Sequence, residues 1–363
     1  MSVSKHDNPQ RESLLNVLIT GGFGNIGALV VEECLRRGHA VSVFEVPNKR
    51  TQRLARRYAR RQVRVLFGDL RNAQDVSQAV AGQDVVIHLA AILPPVSDAR
   101  PDLCRAVNVG GTANLVAALQ ASPAQPALVS VSSACVMGPT QRSVPPVRPD
   151  DPLAPTDTYS RTKIEAEALV AASGLRYAVL RLAAVLPTVL NPASLFAMVK
   201  LIFAMPLEAR CEIVVDLDVA HALASAAEDL LGAGELAGSK GFIAGGRAQG
   251  CQMRTRDLVE IVFRPLGLRL PNASLFAQEL DAYYLDWYNT EQTQAVLRYQ
   301  RHSAQEWQTT LLGLVRYARP LLWLYGWIIV KWIEAQSPLY PVQAERSRRA
   351  FRQKLQDFFR VQG

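Results

Sequence analysis

A phenol and an ammonium stand four residues apart in Tyr159-Ser160-Arg161-Thr162-Lys163, a spacing that puts both on one face of a helix. A tyrosine with its ordinary pKa of about 10 is a poor base at neutral pH, but a neighbouring cation stabilises the phenolate. Tyr159 could then take the proton of an alcohol hydroxyl while hydride leaves the carbon, or return it in the opposite direction. Ser133 precedes the tyrosine by 26 residues and ends the apolar run Val129-Ser130-Val131-Ser132-Ser133. Its hydroxyl suits a hydrogen bond to the reacting oxygen, so positioning and electrostatics become the main contributions of the protein. The neighbouring Ser132 is the alternative for that role.

These side chains need a frame. Short apolar runs at 14–20, 40–44, 63–67, 85–90, 127–132 and 177–182 alternate with helical periodicity at 28–37, 76–81, 108–120 and 159–172. Such alternation predicts a parallel sheet covered on both faces, and right-handed crossovers make a Rossmann-type doubly wound α/β sheet the economical solution. The expected division is a tail at 1–13, a dinucleotide-binding domain at 14–185, an interleaved smaller C-terminal substrate lobe at 186–310, and an apolar aromatic helix with a basic tail at 311–363. Further elements are expected as a strand at 241–244 and a helix at 255–266. The six prolines between Pro139 and Pro155 predict an ordered surface loop joining the Ser133 strand to the Tyr159 helix.

The turn Thr20-Gly21-Gly22-Phe23-Gly24-Asn25-Ile26-Gly27 joins the first strand to the first helix. Gly21 permits a tight turn, Gly24 lets a pyrophosphate approach the backbone, and Gly27 lets helix and strand pack closely, with helix amides facing the phosphates. Glu45, at the end of the second strand, is placed to accept hydrogen bonds from the adenosine ribose and to repel a 2'-phosphate. This favours NAD, with NADP the alternative because Lys49 or Arg50 could reach such a phosphate. Arg53, Arg56, Arg57, Arg60 and Arg61 are expected on a solvated helix face. Asp69 is either a partner for the adenine amino group or a cap for the helix beginning near Ala73.

Composition narrows the rest. The formal charge of +8 is concentrated in 50–64 and in the tail after Glu345, so it does not argue for nucleic acid. The five cysteines lie far apart without a CxxC pair, which suits reduced thiols in the cytoplasm and predicts no structural metal. The first dozen residues lack an apolar signal region.

Together the motifs resemble the extended short-chain dehydrogenase/reductase superfamily, the NAD-dependent epimerase/dehydratase group that includes the 3β-hydroxysteroid dehydrogenase branch, over about residues 14–310. The resemblance rests on the glycine turn, on Asp84-Val85-Val86-Ile87-His88-Leu89-Ala90-Ala91, on Asn108-Val109-Gly110-Gly111-Thr112, on Ser132-Ser133-Ala134-Cys135-Val136-Met137-Gly138, on Arg181-Leu182 and on Val215-Asp216-Leu217-Asp218-Val219-Ala220. It implies that Ser133, Tyr159 and Lys163 are catalytic, that Lys163 also holds the nicotinamide ribose, and that Asn108 supports them. It implies a cofactor lining of Gly21, Gly24, Asn25, Ile26, Gly27, Glu45, Asp69, Leu70, Leu89, Ala90, Ala91, Asn108, Tyr159 and Lys163. A homodimer is a further expectation from the resemblance. Departures bear on substrate: Ala134 and Cys135 stand where dehydratases carry an acidic pair, Met137 replaces a tyrosine, and Leu182 to Thr188 lacks the turn common in sugar-nucleotide enzymes. The expected activity is an alcohol dehydrogenase or ketone reductase for an apolar, steroid- or lipid-like small molecule, ahead of a nucleotide-sugar epimerase and of a non-catalytic NAD sensor.

The segment 311–333 is rich in leucine and tryptophan, with Pro320 expected to break any helix near its middle. Its apolar core is too short to span a bilayer. Trp323, Tyr325, Trp327 and Trp332, followed by the basic tail, suit peripheral membrane contact; the alternative is a helix docked on the substrate lobe or on a dimer partner.

Overall fold

The computed structural model describes residues 14–189, 201–317 and 319–342. Strand β1 (Asn16–Thr20) leads into helix α1 (Asn25–Arg36), and the alternation continues through β2 (Ala40–Glu45), α2 (Lys49–Ala59), β3 (Arg64–Phe67), α3 (Ala73–Val80) and β4 (Val85–His88). A π-helical turn, Ala106–Gly110, opens α4 (Gly111–Ala121), followed by β5 (Ala127–Ser133), α5 (Thr158–Ala171) and β6 (Tyr177–Leu182). With β9 (Ser239–Ile243) these strands form one sheet in the order β3-β2-β1-β4-β5-β6-β9. The first strands pair in parallel, with Leu18 level with Ser42 on one side and Val86 on the other. This is the expected doubly wound sheet. Its β-branched strands are buried on both faces because helices cover each side.

The chain divides into two compact units, each assembled from three stretches. The first contains the residues up to Val131, Thr162–Val179 and Ala220–Ser239; the second contains Ser132–Arg161, Leu180–Val219 and the residues from Lys240 onward. The expected boundary at 185 is therefore replaced by a finer interleaving, and 311–342 is not a separate body. In the first unit Leu18, Val86, Leu128 and Val179 pack with Val76, Leu115 and Leu119. An ion-paired cluster is added by α6 (Asp216–Leu231), where Glu228 and Ser225 meet Arg37 while His221 joins Arg37 and Glu33. Burial pushes the Glu33 carboxyl up, but hydrogen bonds from Arg36, His221 and Arg37 overcome this and bring it down to about 2.

The second unit is built on a small sheet of β10 (Gln252–Arg254), β8 (Arg210–Val215) and β7 (Ala184–Leu186), which the loosened hydrophobic rhythm of this region did not reveal. The proline-rich segment is the expected surface loop, mostly exposed and tied into this unit at a few points. Val147 bridges to Tyr288, Pro149 O accepts from Arg181, and buried Gln141 exchanges hydrogen bonds with Arg210. Helices α7 (Thr255–Phe263), α8 (Glu291–Leu297), α9 (Ala304–Leu314) and α10 (Arg319–Glu334) complete the unit.

Pro320 does not break a helix. It stands in the first turn of α10, where the missing amide has no intrahelical partner to lose and the fixed φ favours initiation. The interruption falls instead between Leu314 and Arg319. One side of α10 docks: Val330 and Ile333 pack with Phe203, Val259, Phe263 and Phe276, while Glu334 accepts both guanidinium nitrogens of Arg269 at 2.9 Å and the Asn272 amide at 3.0 Å. Among the described residues, no helix is long and apolar enough to cross a membrane.

Candidate active site

The nucleotide end begins where β1 turns into α1. Gly21 has φ of +69°, a conformation that favours glycine, and a Cβ there would stand 2.9 Å from the Ala90 Cα. At Gly27 a Cβ would lie 2.2 Å from the Gly21 carbonyl oxygen, so helix and turn approach as closely as the sequence motif requires. Gly24 is the N-cap of α1 and provides no capping side chain, and no acidic residue occupies the first turn. Gly24 and Asn25 are exposed and Ile26 is half-buried. The result is a cradle of backbone amides at the positive end of a helix, which fits a pyrophosphate.

Phe23 ties the cradle to Glu45. Its ring is buried and stacks on Tyr58 at 5.4 Å; its amide donates to Glu45 Oε2 at 3.1 Å, and its carbonyl accepts from Arg50 at 2.8 Å. A carboxylate and a guanidinium are thus fixed on opposite ends of one residue. Burial raises the Glu45 carboxyl above its usual range, opposed by amides of Phe23 and Val46 and by the charge of Arg50. Among the other arginines expected on a solvated face, Arg53, Arg56, Arg57 and Arg60 are exposed, and Arg61 pairs with Glu32.

Of the two readings of Asp69 one is excluded, and Leu70 is held by its side chain. Asp69 is not the cap of α3; Asn72 takes that position by accepting from the Gln74 amide at 3.0 Å. The half-buried Asp69 carboxylate is instead paired with Arg71. Leu70 directs its side chain into the core of the first unit, where Gly111 must lack a Cβ to make room for it. Leu70 therefore offers a ligand only its backbone.

Beneath the turn runs a hydrogen-bonded chain whose direction can be deduced. The Ala90 amide donates to Thr20 Oγ1 at 3.2 Å, and Thr20 Oγ1 lies 2.7 Å from His88 Nδ1. On the other side, His88 Nε2 lies 3.1 Å from Thr112 Oγ1, which itself donates to the Asn108 carbonyl at 2.7 Å. Thr112 has spent its proton and accepts from His88, so the imidazole carries its proton on Nε2 and accepts at Nδ1 from Thr20. Desolvation, aided by the charge of Lys163, pushes the His88 pKa down to about 3 and keeps the ring neutral. The partly exposed Leu89, Ala90 and Ala91 follow immediately.

Asn108 is 2% exposed, and its amide is spent on the Ile92 backbone: Oδ1 accepts from Ile92 N at 2.7 Å and Nδ2 donates to Ile92 O at 3.1 Å and to Thr162 Oγ1 at 3.1 Å. It fixes the loop after β4 to α5.

The candidate chemical groups are carried by β5 and α5. In the first unit Lys163, itself buried, donates from Nζ to the Val131 carbonyl at 2.8 Å. One helical turn earlier, in the second unit, Tyr159 is half-buried. Ser133 lies two residues beyond Val131 at the end of β5 and is partly exposed, whereas Ser132 is buried. Alternation along the strand separates the two serines onto opposite faces. Ser133 Oγ accepts from the Cys135 amide at 3.3 Å, leaving its own proton for donation elsewhere. The structure thus places Ser133, rather than Ser132, at an accessible strand end.

The second unit contributes aromatic residues that motif spacing did not reveal. Tyr283 and Tyr284 stack at 4.2 Å, with Tyr283 Oη donating to Tyr284 Oη at 3.0 Å. Burial raises both phenols, Tyr284 to about 12, and both also sense Cys135; Tyr284 senses Asp157, two residues before Tyr159. The turn after Ser133 runs Ala134-Cys135-Val136-Met137, fully enclosed and without an acid. Buried Arg181 donates to Pro149 O at 2.6 Å and lies 3.3 Å from the Met137 sulfur.

The sheet order and the glycine cradle define the fold of the extended short-chain dehydrogenases/reductases. The chain belongs to the NAD dependent epimerase/dehydratase family, whose pattern matches residues 17–197. It is similar to a 3-beta-hydroxysteroid dehydrogenase of Mycolicibacterium neoaurum, 36% identical over 174 residues that make up 45% of this chain and 44% of the relative. It is also similar to UDP-glucose 4-epimerase 3 of Oryza sativa subsp. japonica, 32% identical over 162 residues, 42% of this chain and 43% of the relative. The matched region spans less than half the length of these curated relatives. Among solved structures, a short-chain dehydrogenase/reductase superfamily protein from Agrobacterium tumefaciens with bound NAD matches with a TM-score of 0.66 at 22% identity, covering 84% of this chain and 99% of that one. At that identity the likeness concerns the fold.

Proposed function

We propose that the chain is an NAD-dependent oxidoreductase interconverting an apolar, steroid- or lipid-like secondary alcohol and its ketone. The observation that carries the reading is Lys163 anchored on the Val131 carbonyl one helical turn from Tyr159. The Val131 carbonyl fixes the ammonium on the helix that carries Tyr159, and a cation so placed favours the phenolate form of a tyrosine. Bound NAD supplies the hydride acceptor. The turn Gly21 to Gly27 holds the pyrophosphate, Glu45 the adenosine ribose, and Asp69 the adenine edge. Ser133 donates to the substrate oxygen while Tyr159 takes the hydroxyl proton; in the reverse direction Tyr159 returns it.

Three features support an apolar substrate over a sugar nucleotide. The turn after Ser133 has no acid, the Tyr283–Tyr284 aromatic pair stands close enough to Cys135 and Asp157 to sense them, and the similarity includes a 3-beta-hydroxysteroid dehydrogenase. The similarity to a UDP-glucose 4-epimerase motivates the second reading. Both are tested by following nicotinamide absorbance with apolar secondary alcohols beside nucleotide sugars, for the wild type and Tyr159→Phe. Turnover of an apolar alcohol that falls by about 100-fold or more in the variant is expected. Conversion of a nucleotide sugar alone would replace the proposal with epimerisation. Cofactor binding without turnover, unchanged by the substitution, would replace it with NAD sensing.

A further inference from the structure

We infer that the outer face of α10 is a docking surface for an anionic lipid bilayer. The helix has two faces of different fate. Gly326, Val330, Ile333 and Glu334 are buried on the second unit, and a Cβ on Gly326 would meet Leu268 at 2.9 Å, so this side is tightly seated. The remaining arc, about 160° wide at 100° per residue, carries Leu321, Leu324, Tyr325, Trp327, Ile328 and Trp332, all exposed, with Trp327 at 61%, and Trp323 near the start of the helix adds a ring that is 79% exposed. A helix docked by one side ordinarily shows polar residues on the other. Here the outward side chains present on the order of 800 Å² of mostly apolar surface, above the largest patch of a typical monomer.

The chemistry of the patch selects the occupant. Its large residues include three tryptophans and a tyrosine, whose rings combine an apolar body with a polar edge and suit the headgroup boundary. The charges are cationic: exposed Arg316 precedes the helix, and Lys331 lies within the apolar arc with its ammonium 5.8 Å from the Trp327 ring centroid. Beyond Val342 the sequence adds Arg346, Arg348, Arg349, Arg352, Lys354 and Arg360 against Glu345 and Asp357. An apolar arc next to Lys331, on a helix followed in sequence by a basic run, is complementary to acyl chains beneath anionic headgroups. A second copy of this face would bring Lys331 against the same apolar surface and gather like charges, so the bilayer is the better match. The helix has 16 residues, enough to lie in the interface rather than cross it.

The test uses the full chain and sedimentable phosphatidylcholine vesicles with or without phosphatidylserine. Wild type is expected to co-sediment with the anionic vesicles, with blue-shifted tryptophan fluorescence, and to be released by salt. The doubly substituted W323S/W327S chain is expected to bind about tenfold more weakly, and Lys331→Glu to lose several-fold on anionic vesicles only. Both variants change outward side chains, and an unaltered melting temperature and circular dichroism spectrum show that the fold persists. Wild type remaining in the supernatant with both vesicle types overturns the inference, as does undiminished binding by W323S/W327S in the folded state. A wild-type dimer that becomes monomeric in W323S/W327S without vesicle binding assigns the face to a second copy instead. Should W323S/W327S not fold, the wild-type salt and spectral responses together with Lys331→Glu decide the question.

Discussion

Replacing Glu45 by glutamine should move cofactor preference from NAD toward NADP. The substitution preserves shape and an oxygen able to accept the Phe23 amide, now donated to Oε2 at 3.1 Å, while removing the negative charge. Arg50 stays in place because it is held by the Phe23 carbonyl rather than by Glu45. Two unit charges about 6 Å apart at an effective dielectric of about 20 interact by about 3 kcal/mol. Solvent screening at a half-open site reduces this to about 1.5 kcal/mol, or about a tenfold gain in NADP affinity. NAD binding should weaken several-fold, because the ribose loses a charged acceptor worth about 1 kcal/mol. Titrating each reduced cofactor by nicotinamide fluorescence measures both terms. The ratio of NADP to NAD affinity should rise by about 50-fold, and adding Arg50→Ala should cancel the NADP gain. A ratio altered by less than about threefold would refute the assignment of Glu45 to the ribose.

Gly27→Ala places a methyl 2.2 Å from the Gly21 carbonyl oxygen, so it should cost about 1–3 kcal/mol of stability, read by chemical denaturation, and weaken cofactor affinity at least tenfold. The Glu33 pKa is depressed from 4.5 to about 2; its contribution is therefore fully present above pH 4.5 and disappears as pH falls toward about 2. After discounting for solvent, that loss is about 1–2 kcal/mol, and Arg37→Met should flatten this part of the stability profile. Tyr284→Ala removes one ring of the stack and is expected to raise KM for an apolar alcohol about tenfold while leaving the NAD dissociation constant unchanged; an equal change in both would argue for a general collapse of the site.

The parts of the site that sequence made legible are those in which one residue type answers one backbone or proton-transfer requirement. Gly21 and Gly27 are explained by a positive φ and a forbidden Cβ, and the interval between Tyr159 and Lys163 is set by the helical turn. Ser133 is separated from Ser132 by strand alternation. Long-range pairings were not legible in the same way. Nothing local in Tyr283-Tyr284 announces that these residues sense Cys135, nor does Arg210 announce its pairing with Asp286. The detail of the expected interleaving was not legible either, because stretches distant in sequence cluster together: Ala220–Ser239 belongs with the first unit and Ser132–Arg161 with the second. Pro320 was misread because a proline is costly inside a helix and favourable in its first turn, and composition alone does not distinguish those positions.

The two-sided nature of α10 limits how this protein can be re-engineered for handling in water. Trimming the greasy C-terminal helix would remove Trp323 and Trp327, but it would also strip Val330 and Ile333 from Phe203, Phe263 and Phe276 and leave Arg269 without Glu334. A shortened chain would exchange one sticky surface for a raw cut through its own interior. Repainting the outward residues with polar side chains, while keeping the inward ones, is the economical route to a well-behaved preparation.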